Sequence, residues 1–263
     1  MLFNTIVYGP IHSRRLGVSL GMNLMPTDVK VCTFDCIYCE CGFNQAVSHP
    51  TLPSREQVRE ALEQALLPYS IIPMSPEQVS RPPIDVITFS GNGEPTLHPD
   101  FLGIIEDTCA LRDRYCPQAK VSVLSNATQL GRDEVVQALR LCDNRILKLD
   151  STIDTTMQLI DAPVKKDITV AEIVNKLKVF QGDFTLQTCF LRGQVGEKMV
   201  DNTTPEELAA WYQVVCQLGP KQVMIYVIDR ATPVKTLEKI SKEQMNAIAE
   251  PLREAGMDVI VCA

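Results

Sequence analysis

Asp85-Val86-Ile87-Thr88-Phe89-Ser90-Gly91-Asn92-Gly93-Glu94-Pro95-Thr96 holds the unit from which the fold is read: an apolar run that ends in a polar turn with two glycines and a carboxylate. The unit recurs in outline. Apolar runs lie at Gly17–Leu24, Asp85–Ser90, Lys120–Leu124, Arg145–Leu149, Phe184–Phe190 and Gln222–Ile228, and Asp258–Cys262 adds a further strand at the end. Short runs rich in Val, Ile and Leu are how strands buried on both faces look in sequence. A polar motif follows each of the six. Cys32–Cys41 comes after the first, Gly91–Thr96 after the second and Ser125-Asn126-Ala127-Thr128 after the third. Asp150-Ser151-Thr152 ends the fourth, Arg192-Gly193 the fifth and Asp229-Arg230 the sixth.

Helix signals fill the intervals. Ser54 with Gln57 forms a capping box for Arg55–Leu67, which Pro68 stops. Thr169 with Glu172 opens a helix closed by Gly182. Thr204, Pro205 and Glu207 open one that ends at Gly219, and Ser241 with Gln244 opens one that ends at Gly256. In each, a side-chain oxygen satisfies an N–H of the first turn that has no partner within the helix. Pro99–Tyr115 and Arg132–Leu141 are predicted helical as well. Alternating strands and helices imply a parallel sheet with right-handed crossovers. The predicted fold is therefore α/β, a partial (β/α)6 TIM-like barrel forming one domain over residues 1–263, with its site at the C-terminal strand ends. An open doubly wound sheet is the alternative. Six motifs in phase at one mouth favour the barrel.

Composition narrows the function. No run approaches the ~18 apolar residues of a membrane span, and the start, MLFNTIVYGP, lacks the charged and apolar regions of a secretion signal. The expectation is a cytoplasmic protein that does not meet a membrane. Ten cysteines then point to metal or redox work rather than disulfides. Cys32, Cys36, Cys39 and Cys41 crowd together. Cys109, Cys116, Cys142, Cys189, Cys216 and Cys262 are scattered, as small buried hydrophobes are. A formal net charge of −7 with no basic, aromatic-laced stripe argues against a large nucleic-acid footprint.

Cys32-Thr33-Phe34-Asp35-Cys36-Ile37-Tyr38-Cys39 is the strongest single signal, in a loop over residues 30–42. Thiolates suit iron–sulfur clusters and zinc, and this spacing is neither of the common ferredoxin patterns. Three ligands on a four-iron cubane leave one iron with an open position. A structural zinc site or a closed electron-transfer cluster is the competing reading, with Cys41 or His49 as fourth ligand. Around Gly91 and Gly93 the backbone can approach a ligand closely. Glu94 there suits an ammonium group and would repel phosphate, which argues against a phosphate loop.

CxxxCxxC with Tyr38 before its last cysteine, followed one unit later by GNGEPTLHP, resembles the radical S-adenosylmethionine superfamily. Ser13–Gly21, Ser125–Thr128, Lys148-Leu149-Asp150, Gln187–Gly193 and Asp229-Arg230 with Thr232-Pro233 are similar to the branch that contains the tRNA wybutosine-synthesis enzyme and many uncharacterised bacterial relatives. The resemblance implies a [4Fe–4S] cluster on Cys32, Cys36 and Cys39, with S-adenosylmethionine chelating the fourth iron. Gly91, Gly93 and Glu94 would hold its amine, and Tyr38 would lie against the adenine through its backbone. Ser125, Asn126 and Asp150, helped by Lys148, would meet the ribose or the methionyl carboxylate. An electron from a low-potential donor such as flavodoxin or ferredoxin would break the C–S bond, and the 5′-deoxyadenosyl radical would take hydrogen from a small-molecule or protein substrate. Arg14, Gln187, Arg192, Asp229 and Arg230 are the candidate substrate contacts; Arg14 and Arg15 could bind a substrate carboxylate or equally seal the bottom of the barrel by a salt bridge. His12, His49 and His98 are expected to be hydrogen-bonded loop histidines. Two departures argue against tRNA as substrate. No cysteine precedes Cys32 to carry a second cluster, and the only lysine before the loop is Lys30, right beside it. A closed-cluster electron carrier or redox sensor, and a scaffold that has lost turnover, are the alternatives in function.

Overall fold

The protein is described by a computed structural model over residues 2–46, 50–69 and 83–263; His49 lies outside the described residues. An antiparallel edge strand, β1 (Val7–Ser13), pairs with β2 (Gly17–Asn23). From β2 the sheet continues in parallel through β3 (Val86–Ser90), β4 (Lys120–Ser125), β5 (Asn144–Lys148) and β6 (Thr185–Val195). It ends with β8 (Gln222–Val227) and β10 (Val259–Cys262). Spatial order follows chain order, so the sheet curls into a half-barrel with its strands' C-terminal ends at one mouth. The six predicted strands and the additional C-terminal one are all present.

Alternate residues of each strand face opposite sides, and the two sides differ in chemistry. Leu20, Met22, Ile87, Phe89, Val121, Val123, Leu147, Leu186 and Ile225 form one side. They pack under α1 (Arg55–Leu66), α2 (Phe101–Tyr115), α3 (Asp133–Leu141), α5 (Val170–Leu177), α6 (Pro205–Leu218) and α7 (Lys242–Glu254) as the core. Rows on the other side, such as Thr88–Ser122–Asn144, are polar. There Ser19 Oγ and Thr88 Oγ1 are 2.8 Å apart, and Asn144 Nδ2 donates to Ser122 Oγ at 2.9 Å. The strands are buried on both faces as expected. The inner burial, however, is by paired hydroxyls and amides, which a satisfied hydrogen bond permits.

Caps appear where the sequence places them. Ser54/Gln57 and Ser241/Gln244 are complete capping boxes, and Thr169 and Thr204 accept from the N–H groups of Glu172 and Glu207. Gly219 ends α6 with a φ of +54°, a left-handed cap that glycine adopts without penalty. After α5, Gln181 takes the left-handed position one residue before Gly182, where the chain leaves a short 3-10 turn. Four elements are additional to the expected set: β1, α4 (Asp154–Ile160), β7 (Lys198–Asp201) and β9 (Leu237–Lys239). β7 and β9 flank the far half of β6, whose parallel pairing stops at Phe190. Arg192 and Gly193 therefore do not close the fifth strand but sit within a small antiparallel flap beyond it. Among the described residues no helix is long and apolar enough to cross a membrane.

The sole tryptophan, Trp211, reports on this packing. Its indole N–H donates to Thr188 Oγ1 at 3.0 Å, and that hydroxyl donates to Leu149 O at 2.7 Å. Thr188→Val keeps the shape and strands both partners, so it is expected to cost about 1–3 kcal/mol. Urea unfolding followed by Trp211 fluorescence measures it; an unchanged midpoint would show that the bond contributes nothing.

Candidate active site

The cysteine loop is docked on both sides through its backbone. On one side the Val31 N–H donates to Asn92 O at 2.9 Å, and the Glu94 N–H donates to Val31 O at 3.1 Å. A Cβ on Gly93, whose φ is +149°, would overlap the Val31 carbonyl, so the second glycine of the turn is dictated by this contact. Asn92, fully buried, donates to Phe3 O and Pro26 O, both at 2.8 Å, and ties the N-terminal segment to the same turn. On the other side the N–H groups of Asp35 and Ile37 donate to the carbonyls of Asp161 and Ile160, at 3.0 and 2.9 Å, where α4 ends. The loop also closes on itself. Asn44 exchanges two hydrogen bonds with the Cys32 backbone, at 2.9 and 3.1 Å. Lys30 Nζ, buried, donates to Gly42 O at 3.0 Å and to Asp35 Oδ1 at 3.3 Å. Lys30 is thus consumed inside the loop.

Two of the three sulfurs receive donors, and the third lies beside Cys41. Cys32 Sγ accepts from the Phe34 N–H at 3.5 Å and from Asn126 Nδ2 at 3.6 Å. Cys36 Sγ accepts from Lys148 Nζ at 3.3 Å. At Cys39 the neighbouring Cys41 side chain, against the effect of burial, lowers the thiol to about 6. Burial, reinforced by the charge of Glu94, pushes the Cys32 thiol up to about 12, and burial raises Cys36 well above its usual value despite Lys148. Cys41 Sγ lies 3.2 Å from Gly91 O. Among the described residues, no three His, Cys, Asp or Glu side chains are drawn together around one metal-ion position. Thiols on one loop, with N–H donors aimed at Cys32 and Cys36, suit a thiolate-held centre whose charge such donors stabilise.

Around them the predicted cofactor residues converge, in roles that differ in detail. Glu94 is 3 % exposed, and burial raises its carboxyl against four donors. Its Oε1 accepts from the Thr96 N–H at 3.2 Å, the Thr96 hydroxyl at 2.5 Å and the Ser125 hydroxyl at 2.8 Å, and its Oε2 accepts from the Asn126 N–H at 2.7 Å. It welds the β3 turn to the β4 turn and so aims Asn126, which also donates to Thr33 Oγ1 at 2.7 Å. Gly91, with φ +109°, has room for no side chain beside Asn23 Oδ1, 2.7 Å from where a Cβ would sit. Tyr38 donates to Asp150 Oδ2 at 2.5 Å and accepts from the Tyr226 hydroxyl at 3.2 Å. Lys148 pairs with Asp150 at 2.9 Å and with Asp161. Burial raises Asp161 to about 7, with Lys148 opposing and Asp150 reinforcing.

The candidate substrate residues do not form one group. Arg14 pairs with Asp229 at 3.3 Å across the mouth, and Arg230 pairs with Glu40 at 2.7 Å. Gln187 lies on the concave face, its Nε2 3.6 Å from Met224 Sδ. Arg192 is held in the flap by Thr203 Oγ1 at 3.0 Å and Asp201 at 3.6 Å. His98 is the bonded loop histidine expected, its Nε2 2.8 Å from Pro53 O, whereas His12 lies exposed on β1. Asp161, Asn202, Asn44 and Tyr226 belong to the site and were not among the sequence candidates. Asn202 donates to Asp150 O at 2.7 Å and Cys189 O at 2.8 Å. A lone buried amide of this kind leaves no periodic signal; a lone acid beside Ala162-Pro163 leaves little more.

No protein-family model matches the chain. It is 30% identical over 245 residues to a GTPase Obg of Brachyspira hyodysenteriae, covering 91% of this chain but spanning only about a third (32%) of that protein. It is 28% identical over 242 residues to a UPF0026 protein of Helicobacter pylori, covering 91% of this chain and 71% of that protein. Among solved structures it resembles TYW1 with a lysine–pyruvate adduct bound, at TM-score 0.62 and 15% identity over 90% of this chain and 73% of that one. It also resembles SuiB of Streptococcus suis bound to S-adenosylmethionine, at TM-score 0.63 and 11% identity over 92% of this chain and 50% of that one. A radical SAM methyltransferase from Sphaerobacter thermophilus matches at TM-score 0.63 and 12% identity over 92% of this chain and 65% of that one. The half-barrel with its cysteine loop is therefore the radical S-adenosylmethionine fold, carried on a chain whose sequence relatives include the UPF0026 proteins.

Proposed function

We propose that this protein is a radical S-adenosylmethionine enzyme. In this reading Cys32, Cys36 and Cys39 hold a [4Fe–4S] cluster, and hydrogen is abstracted from a small-molecule or protein substrate at the mouth of the barrel. The observation that carries the reading is the pair of donors that other strands aim at the loop's sulfurs, Asn126 at Cys32 and Lys148 at Cys36. When bound, the cluster and its sulfonium cofactor supply reductive C–S cleavage and a 5′-deoxyadenosyl radical.

The chain's own residues have three tasks. Asn126 and Lys148 stabilise thiolate charge in a buried setting. Glu94 and Asp150 are loaded with donors and act as fixed acceptors at the ends of β3 and β5. A cofactor amine or ribose would join those networks rather than find free carboxylates. Gly91 and Gly93 keep the turn bare of side chains, so that a ligand meets backbone there, while Tyr38 is held by Asp150 and Tyr226. Electron delivery by a flavodoxin or ferredoxin belongs to the same proposal. So does the assignment of Ser125 to the cofactor side, supported by its position on Glu94.

Cys41 favours one rival, a closed four-cysteine carrier, since its sulfur neighbours Cys39. Anaerobically reconstituted protein with dithionite and S-adenosylmethionine is expected to release 5′-deoxyadenosine, and Cys32→Ala, Cys36→Ala and Cys39→Ala to abolish it. Cys41→Ala should keep about four irons per chain and the activity. Wild type that yields no cleavage product, with a cluster lost in Cys41→Ala, would establish the carrier instead.

Lys148→Met tests the buried charge network independently of turnover. Removing one partner of a buried pair leaves Asp150 and Asp161 facing each other, at an expected cost of about 3–5 kcal/mol in urea unfolding of the full chain. A loss below about 1 kcal/mol would mean the network is solvated and weak.

A further inference from the structure

The cations around the mouth are almost all neutralised. Arg14 and Lys239 share Asp229, at 3.3 and 3.7 Å, and Arg230 is spent on Glu40 at 2.7 Å. Arg192 is held by Asp201, Lys30 by Asp35, and Lys148 by Asp150 and Asp161. Arg15 is different. Its backbone N–H donates to Ser13 Oγ at 3.2 Å, but among the described residues its guanidinium meets neither a carboxylate nor a hydrogen-bond acceptor. It lies over the ring of Tyr226, its Cζ 4.8 Å from the centroid.

That ring faces the concave side. Tyr226 is in register with Cys189 on β6, two residues beyond the Met224–Gln187 pair, and its hydroxyl donates to Tyr38, the neighbour of Cys39. The guanidinium thus lies over a ring that is joined through the Tyr38 hydroxyl to Asp150, on the side of the sheet that carries the cysteine loop. An aromatic face fixes a guanidinium in orientation while leaving its N–H edge free. That edge is the fork which carboxylates and phosphates bind bidentately. An anion reaching Arg14 or Arg230 must first displace a carboxylate; one reaching Arg15 displaces only water.

We propose that Arg15, stacked on Tyr226, is the anion anchor of the substrate site, and that the substrate is a small polar molecule bearing a carboxylate or a phosphate. This rests on the mouth being the active site, as proposed above. The test is arginine-selective labelling of the reconstituted full chain with phenylglyoxal, read by peptide mass spectrometry at Arg14, Arg15 and Arg230, with millimolar inorganic phosphate or succinate as competitor. One of the two anions is expected to slow labelling of Arg15 by about tenfold while Arg14 and Arg230 change by less than about twofold. Protection by phosphate identifies a phosphorylated substrate, and protection by succinate a carboxylic acid. Tyr226→Phe, which keeps the ring, should retain the selectivity, and Tyr226→Ala should lose it. Equal protection at the three arginines, or none at Arg15 from either anion, overturns the proposal in the unmodified protein alone. Labelling needs no cofactor cleavage, so deoxyadenosine release without protection refutes only the anchor. Protection without release refutes only the radical reading.

Discussion

A few backbone hydrogen bonds decide whether there is a site at all: those by which the cysteine loop lies between the β3 turn and the end of α4. Three thiols on a free loop would gain nothing from their spacing, because ordering the loop around a cluster would cost conformational entropy residue by residue. Here that ordering is already done by Val31 on Asn92 and Glu94, and by Asp35 and Ile37 on Asp161 and Ile160. Gly93 is bare because the Val31 carbonyl occupies the space of its side chain. A glycine-rich turn that in sequence suggests a ligand has, in the folded chain, a structural reason to lack Cβ as well. The two roles are compatible, since a backbone pressed against the loop is also a backbone near whatever the loop holds.

Charge is the second constraint, and it follows from the first. Docking the loop this deep buries Glu94, Asp150, Asp161 and Lys30, and leaves the Lys148 side chain only 11% exposed. Isolated, each would be costly; paired and hydrogen-bonded, they are tolerable but contribute little net stability. Their value is geometric. Lys148 can reach Asp150, Asp161 and Cys36 only if β5, α4 and the loop keep their relative places, so the network reports on the same docking that the backbone bonds enforce. Tyr38 adds a further strand to the web through Asp150 and Tyr226.

The parallel strands and capped helices were legible because each rests on local chemistry. An apolar run buries itself, and Ser54 caps its own helix wherever the helix is placed. The missed elements lack that property. β1 contains Gly9-Pro10 and a break in register between Tyr8 and Ile11, tolerable on an edge strand and invisible as alternation. β7 and β9 are four and three residues long and exist because β6 outruns its parallel partners. The cysteine motif, the glycine turn and the acidic ends of β3 and β5 were legible as residue types, since thiols and buried acids are scarce and specific. Which donors satisfy them was not, because Asp161, Asn202 and Tyr226 reach the site from elements whose placement is a tertiary fact. The substrate candidates fared worst for the same reason: Arg14 and Arg230 sit at the mouth, but carboxylates in the folded chain claim them.

An incomplete barrel has two free edges and a lateral gap, and the β1–β2 hairpin is what faces that gap. Arg14 reaches across to Asp229 beyond β8, but both side chains are nearly half exposed, at 46% and 42%. Such a pair is worth at most about 1 kcal/mol and weakens with salt. The hairpin is positioned instead by the β1–β2 ladder and by the β2–β3 pairing behind it. The flank of the mouth is thus built on a rigid ladder and spanned by a weak ion pair. Strong contacts thus lie where the loop docks and geometry must not change, and the exchangeable pair lies on the open flank.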